Sequence, residues 1–383
     1  LKIIFLSHMF PNTITPFSVP FMVERAKALS LLFKTDIVAP VSYVPLLKNN
    51  IPPFVEKFDY LKVLHPQYFG LPSLLWPLRW ITYYIMCFRF WKNKKPDCDI
   101  MHVEWIYPDA YAAARYAKKY SIKFVGVVHG NEAIEYYGKK SHKKKYINAF
   151  KLLDKIIVVS NDLKHKLVNE YHVDKNKISV ILNGVDLNKF PVIDQKKARF
   201  KLGLTSDKII GVCVARLSEE KNLDILLKSV SLVADSKLTI YIVGDGPLKK
   251  RLEALVVSLG LKGSVKFVGP VPHDQIYWWL NASDFFCLPS QREGCPVVIH
   301  EALACGVPVI STTVGAIPDL IKDDRFGFLC EPDSVSEFTA IMKKAMSQNW
   351  GKEMISAYGR QFTWDKVAKQ TVDVFRSVLE GDS

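Results

Sequence analysis

The feature that most narrows the folds open to this chain is a series of short apolar runs that do not alternate. KIIFLS, TDIVAP, DIMHVEW, KFVGVVH, KIIVVS and KISVIL follow one another between residue 2 and about residue 183. A strand with one face in water alternates apolar and polar side chains, whereas a strand covered on both faces has no polar side to show. Between the runs lie stretches with apolar residues at helical spacing, such as PFMVERAKALSLLF and PDAYAAARYAKKY. Strand, helix, strand in repetition predicts a doubly wound α/β domain, with its ligand outside the carboxyl ends of parallel strands. The series restarts at KIIGVCVARL and continues through TIYIVG, SVKFVG, DFFCLP and VPVIST, with FGFL as a candidate sixth strand. Two such domains suit a chain of 383 residues, longer than one core usually grows.

The boundary is expected near residues 188–206, where the charged, helix-like DQKKARFKLGL reads as a linker after a turn signal at Asn183-Gly184. The domains are then 1–190 and 191–364. The closing stretch TWDKVAKQTVDVFRSVLE carries a helical stripe through Val367, Val374 and Val378.

Charge separates the halves. Residues 1–190 hold 28 Lys and Arg against 15 Asp and Glu, and residues 191–383 hold 24 against 23, within a net charge of +14. The first half is expected to face something anionic: an acidic polymer, a membrane surface or nucleic acid. No recognised nucleic-acid reader accompanies the field, so no nucleic-acid partner is expected. The seven cysteines form no C-x-x-C pair and sit mostly in apolar runs, which points to buried thiols rather than disulfides or zinc. The chain opens on a strand without a basic leader, so no secretory signal is expected and the protein is placed in the cytoplasm. Leu71 to Phe90 is long enough to span a bilayer, but Arg79 and Arg89 lie within it, and a central Arg costs about 2.5–3.5 kcal/mol on insertion. As a helix it puts Trp80, Tyr84, Cys87 and Trp91 on one stripe and Arg79, Thr82 and Arg89 on the other side. Such a helix either lies on an anionic bilayer or packs its aromatics inward. Lys139, Lys140, Lys143, Lys144 and Lys145 read as a mobile basic run, a solvated segment or a membrane contact.

Chemistry concentrates in DFFCLPSQREGCPVVIHEALACG, Asp284 to Gly306. Phe285 to Leu288 reads as a buried strand stopped by Pro289. A helix begins at Pro296, where a proline costs no hydrogen bond, and ends at Cys305-Gly306. Glu293 lies in the loop and Glu301 on the second helical turn. Strand, loop and helix N-terminus together offer unpaired N–H groups to an anion or to sugar hydroxyls.

This run resembles the E-x7-E signature of retaining nucleotide-sugar glycosyltransferases of GT-B fold, glycosyltransferase family 4. Further stretches resemble the same family in the same order: VVHGNE (Val128 to Glu132), LNGVDLNKF (Leu182 to Phe190), VARLSEEKNLDILL (Val214 to Leu227), VGDGPLKKRLEAL (Val243 to Leu255), KFVGPVP (Lys266 to Pro272) and VGAIPDLI (Val314 to Ile321). The resemblance implies two Rossmann-like domains facing across a cleft. The first, 1–190, binds the acceptor and is rejoined by the last helix, 365–383; the second, 191–364, binds the donor.

It also implies roles. Arg216 and Lys221 would neutralise the departing diphosphate; at about 4 Å and an effective dielectric near 20, each is worth on the order of 4 kcal/mol against a negative charge, more than a helix end. No metal or cofactor is then needed. Glu301 would clamp the ribose and Glu293 would bind donor-sugar hydroxyls, beside the backbone N–H groups of Gly294, Cys295, Pro296 and Val297, of which proline has none. Gly244, Gly246, Phe267 and Val268 would flank the base. His129, after the strand KFVGVV, would line the sugar near its anomeric carbon. The loop after the first strand, SHMFPNTITPFSVP, departs from the family: Ser18, Val19 and Pro20 stand where glycines usually approach the ligands. The expected function is metal-independent, retaining transfer of a sugar from a UDP- or GDP-sugar to a lipid-linked or cell-surface polysaccharide, at the inner face of an anionic membrane. A soluble transferase with a small acceptor, or a silent nucleotide-sugar binder, is the alternative.

Overall fold

The computed structural model describes residues 1–16, 18–44, 51–130, 140–205 and 207–381. The chain divides into two units, Leu1–Leu182 with Trp364–Ser383, and Asn183–Thr363.

In the first unit, strands β1 (Lys2–Leu6), β2 (Lys34–Val38), β4 (Val55–Phe58), β5 (Leu61–Leu64), β7 (Ile100–Val103), β8 (Lys123–Val128), β9 (Lys155–Val158) and β10 (Ile178–Val180) form one sheet; β3 (Val41–Tyr43) and β6 (Gln67–Phe69) pair separately. The order is β10-β9-β8-β7-β1-β2-β5-β4, parallel except for the β4–β5 pair. Strands β7 and β8 are buried along nearly their whole length, as non-alternating runs require. Strands β4 and β5 alternate instead, and they form a hairpin turning at Asp59-Tyr60 that the sequence reading did not include. The direction of the chain reverses between β1 and β7, so loops from both diverge there at the carboxyl edge.

The last helix, Trp364–Glu380, belongs to this unit. It buries Trp364, Val367, Val374, Phe375 and Val378. It packs on the helix Phe21–Ser30, with the rings of Phe21 and Trp364 stacked at 6.4 Å. In the loop before that helix, Val19 takes φ 46°. The left-handed conformation that glycine adopts freely is thus present although the loop has no glycine, at a cost of about 1–3 kcal/mol for a β-branched residue.

The segment read as one helix from Leu71 begins as a 3₁₀ turn, Ser73–Leu78, and becomes α-helical over Arg79–Phe90. Its aromatics pack inward on the helix Tyr111–Lys119: Trp80 lies 5.3 Å from Tyr111, Tyr84 6.5 Å and Trp91 5.3 Å from Tyr116. Of the two alternatives, the stripe of Trp80, Tyr84 and Trp91 thus packs inward, and Ile81, Ile85 and Phe88 take the outer side. The basic run is likewise helical, within Lys140–Leu152, rather than a mobile segment. Lys143 lies over the Tyr171 ring, and Lys145 reaches the Pro77 carbonyl. Lys139, and Asn131 and Glu132 of the VVHGNE run, lie outside the described residues.

In the second unit, β11 (Ile209–Val214), β12 (Leu238–Val243), β13 (Val265–Gly269), β14 (Phe285–Leu288), β15 (Val309–Thr312) and β16 (Gly327–Cys330) form a parallel sheet of order β13-β12-β11-β14-β15-β16. FGFL is its sixth strand. The unit begins at Asn183, eight residues before the expected boundary. DQKKARFKLGL is not a linker: it forms the helix Gln195–Leu202, packed on Ile276–Ala282, and Arg199 is buried there against Asp284 at 2.8 Å. Asn183-Gly184 forms no turn, and Val185 bridges to Thr363.

Candidate active site

Strand order in the second sheet changes direction between β11 and β14, the position at whose carboxyl edge open α/β sheets bind their ligands. Arg216 and Lys221 lie on the loop after β11. Glu293 lies on the loop after β14. Hydrogen bonds join the two loops: Gln291 N–H donates to the Glu220 carbonyl at 2.9 Å, and Lys221 Nζ donates to Glu293 Oε1 at 2.7 Å. Ser290 Oγ donates to the same oxygen at 2.6 Å. The Lys221 and Glu293 side chains are 21% and 8% exposed, open enough to exchange partners. Arg216 is exposed on the same turn.

The helix that follows runs Val297–Ala304, with Pro296 at its cap position and no side chain capping it. Its first N–H groups are open by helix geometry. Glu301 is buried on its second turn, and Oε1 accepts from His273 Nε2 at 2.7 Å. His273 was not among the sequence candidates; it follows the KFVGPVP run, and only folding brings it to Glu301. Gly294 accepts from Ala316 N–H at 2.8 Å through its carbonyl, and Cys295 is held by Asn183, whose side-chain amide donates to the Cys295 carbonyl at 2.9 Å. Beside Cys295, the buried His300 ring is pushed down to a pKa of about 3 by burial.

Gly244 and Gly246 lie at the end of β12, where a Cβ would sit 2.0 Å from the Ala215 carbonyl oxygen and 2.4 Å from that of Leu217. Their lack of side chains is thus accounted for by close approach to the Arg216 loop. Phe267 and Val268 are half-buried on β13; Phe267 packs on the cluster around Ile240 and Ile242, and Val268 on Ile210, Val212 and Val243.

The remaining candidate, His129, lies in the first unit just past β8. Its Nε2 is 2.7 Å from Glu104 Oε2, and the Trp105 and Phe21 rings stand 5.0 and 5.4 Å from its own. Burial lowers its pKa, opposed by the Glu104 carboxylate. Nearby, after β1, His8 Nδ1 is 3.0 Å from the fully buried carboxylate of Asp109. Neither Glu104 nor Asp109 was a sequence candidate. The signal was an acid at the end of the apolar run DIMHVEW.

Among the described residues no group of three or more His, Cys, Asp or Glu side chains could hold a metal ion. The one Asp-x-Asp spacing, Asp97-Cys98-Asp99, precedes β7 at its amino end, and both carboxylates bind Lys2, through Nζ at 2.7 Å and backbone N–H at 2.8 Å. No helix among the described residues is long and apolar enough to cross a membrane.

Comparison with known proteins agrees with this architecture. The family described as Glycosyltransferase Family 4 matches residues 33–189, and Glycosyl transferases group 1 matches residues 194–362. A D-inositol 3-phosphate glycosyltransferase of Nocardioides sp. is 31% identical over 244 residues, 58% of this chain and 53% of that protein. The chain thus spans about half the length of the first curated relatives it matches. The putative teichuronic acid biosynthesis glycosyltransferase TuaC of Bacillus subtilis (strain 168) is 28% identical over 371 residues, 92% of each chain. The structure of Anabaena Alr3699/HepE in complex with UDP superposes with a TM-score of 0.77 at 19% identity, covering 98% of this chain and 100% of that one. Two parallel α/β units, each matched by its own half of one enzyme group, place the chain in glycosyltransferase family 4, with the GT-B fold.

Proposed function

We propose that the chain moves a hexose from a UDP- or GDP-sugar to a lipid-linked or cell-surface polysaccharide acceptor, with retention of configuration and without a metal ion. The observation that carries this is the Lys221–Glu293–Ser290 cluster beside an uncapped helix N-terminus at the β11/β14 switch point. A diphosphate arriving there competes with Glu293 for Lys221. The lysine turns to the phosphate, and the carboxylate, still held by Ser290, becomes an acceptor for sugar hydroxyls. Glu301, fixed through one oxygen by His273, offers its other oxygen to the ribose. As the bond from the anomeric carbon to the leaving phosphate breaks, Arg216 and Lys221 stabilise the charge that develops. The acceptor oxygen bonds to the same face, and its proton passes to the leaving phosphate oxygen. In the first unit, His129 serves the transfer step.

The names of two comparison proteins bear on the substrates. The Anabaena structure holds UDP, which favours a uridine donor, and the Bacillus relative is named for teichuronic acid biosynthesis. Thermal shift with UDP, GDP and their sugars in the presence of a chelator tests the donor site, since a ligand at 100 times Kd stabilises by about 2.7 kcal/mol. No stabilisation by any of them without metal sinks the reading.

An anionic membrane surface is the proposed partner of the first unit, at the cytoplasmic face. Leu78, Ile81, Ile85 and Phe88 recur at three- and four-residue spacing, each about two-fifths exposed, on the outer side of the helix whose aromatics pack inward. Lys119 lies over Phe88 at 5.4 Å, and Lys92, Lys94 and Lys95 are exposed beyond the helix end. Apolar face and basic flank together suit anionic lipid. Ile81→Glu with Ile85→Glu is expected to abolish flotation with anionic liposomes; undiminished flotation removes the partner. A small acceptor is the second reading, favoured by the inositol phosphate in the names of relatives. Transfer to a soluble polyol phosphate but not to a lipid-linked acceptor would select it.

A further inference from the structure

The first unit buries a charged cluster around His129. Glu104, just after β7, is fully buried. Its Oε1 accepts from Arg25 Nε at 2.9 Å and lies 2.8 Å from His102 Nε2, while Oε2 lies 2.7 Å from His129 Nε2. Arg25, on the helix Phe21–Ser30, is itself 1% exposed. Burial pushes the Glu104 carboxyl up, but the Arg25 guanidinium, with His102 and His129, outweighs it and holds the acid well below its ordinary range.

An ionised carboxylate only accepts, so His129 must carry its proton on Nε2. The lone pair then resides on Nδ1. That atom is buried and has no hydrogen-bond partner among the described residues. Burying an acceptor without a donor is unfavourable, and a ligand hydroxyl would relieve it. The flanking Trp105 and Phe21 rings hold the imidazole in place.

We propose that Glu104 is a positioning residue, anchored by Arg25, that fixes His129 in the Nε2–H tautomer so that Nδ1 accepts a hydrogen bond from a sugar hydroxyl. This rests on the transferase reading above for the identity of the ligand, but not for the tautomer. A purely structural cluster would stabilise the fold without dictating which nitrogen of His129 is protonated.

The test is Glu104→Gln. Arg25 only donates, so it holds the amide oxygen on its own side and turns the NH₂ toward His129. His129 Nε2 must then accept, and its proton moves to Nδ1. Nitrogen-15 spectra of ring-labelled chain at pH 7 are expected to show the Nε2–H tautomer in the wild type and the Nδ1–H tautomer in the variant. Turnover should fall about 100-fold or more, with donor affinity from thermal shift kept within about three-fold. An Nδ1–H tautomer or an imidazolium in the wild type overturns the proposal and needs no variant, so a variant that fails to fold leaves it exposed. An unchanged tautomer in Glu104→Gln, or unchanged turnover after inversion, overturns it as well. Should the wild-type chain transfer nothing from any donor, the transferase reading falls by itself, while the tautomer still decides what Glu104 does.

Discussion

The two units share a sheet plan, with the first strand flanked by the second and the fourth of its main parallel series, yet they place charge differently. In the first, Arg25, Glu104 and His102 are sealed in the core, and both Arg25 NH₂ groups are buried without hydrogen-bond partners among the described residues. In the second, Lys221–Glu293 and His273–Glu301 stand at the strand ends, with the basic partners 21% and 37% exposed. The physical lesson is one of exchangeability. A desolvated network cannot release a member without leaving a charge unpaired, so it fixes geometry; a pair whose base reaches solvent can trade its partner for a ligand's phosphate or hydroxyl.

Arg25→Leu breaks this contrast most severely if it is wrong. It leaves the Glu104 carboxylate buried without its guanidinium partner and is expected to cost about 3–5 kcal/mol of unfolding free energy by urea titration. A loss no larger than that of Lys221→Ala, which should stay within about 1 kcal/mol, would erase the distinction.

Glu293→Ala probes the other side. Turnover should drop about 100- to 1,000-fold with nucleotide affinity intact, as expected when hydroxyl contacts of the transition state are removed. Unchanged turnover would remove Glu293 from the chemistry. Lys221→Ala should instead weaken UDP or GDP binding by about 1.5–3 kcal/mol, the scale of a hydrogen bond to a charged group, as read by calorimetry.

Acid should sharpen the contrast within the second unit. His300 is held to a pKa of about 3, far below the ordinary histidine value near 6.5. Between those values the unfolded chain binds a proton that the native one does not. Stability therefore falls as pH drops below about 6.5, by up to about 1.4 kcal/mol per unit. His300→Leu, compared with wild type at pH 7 and 5, is expected to flatten that slope, and an unaltered slope would assign it elsewhere. The smallest effect concerns the glycine-free loop: Val19→Gly relieves the left-handed strain at the cost of a more flexible unfolded chain. A gain of about 1 kcal/mol or less is expected in the unfolding midpoint, and a clear loss would show that Val19 contributes packing there.

The order of strands and helices was legible because non-alternating runs and helical periodicity are local properties of the chain. The loops that carry Arg216, Lys221, Glu293 and Glu301 were legible for a related reason, since each pair lies within one loop–helix segment, while the roles expected of the four rest on the family resemblance. The hairpin Val55–Leu64 alternates but is short, and the charges of DQKKARFKLGL read as a linker while hiding a helix that buries Arg199. Nothing local joined Glu104 to His129, 25 residues apart, or His273 to Glu301, 28 apart.

By itself, then, the amino-acid order determined a pair of doubly wound α/β units, the loops carrying the phosphate and sugar candidates, and a basic first half. Tertiary structure alone decided which acids and bases meet, which nitrogen of His129 is left to accept, and which side of the helix Arg79–Phe90 remains outside. Periodicity states that a helix has two faces, but only the neighbour that covers one of them, here the helix Tyr111–Lys119, determines which is buried.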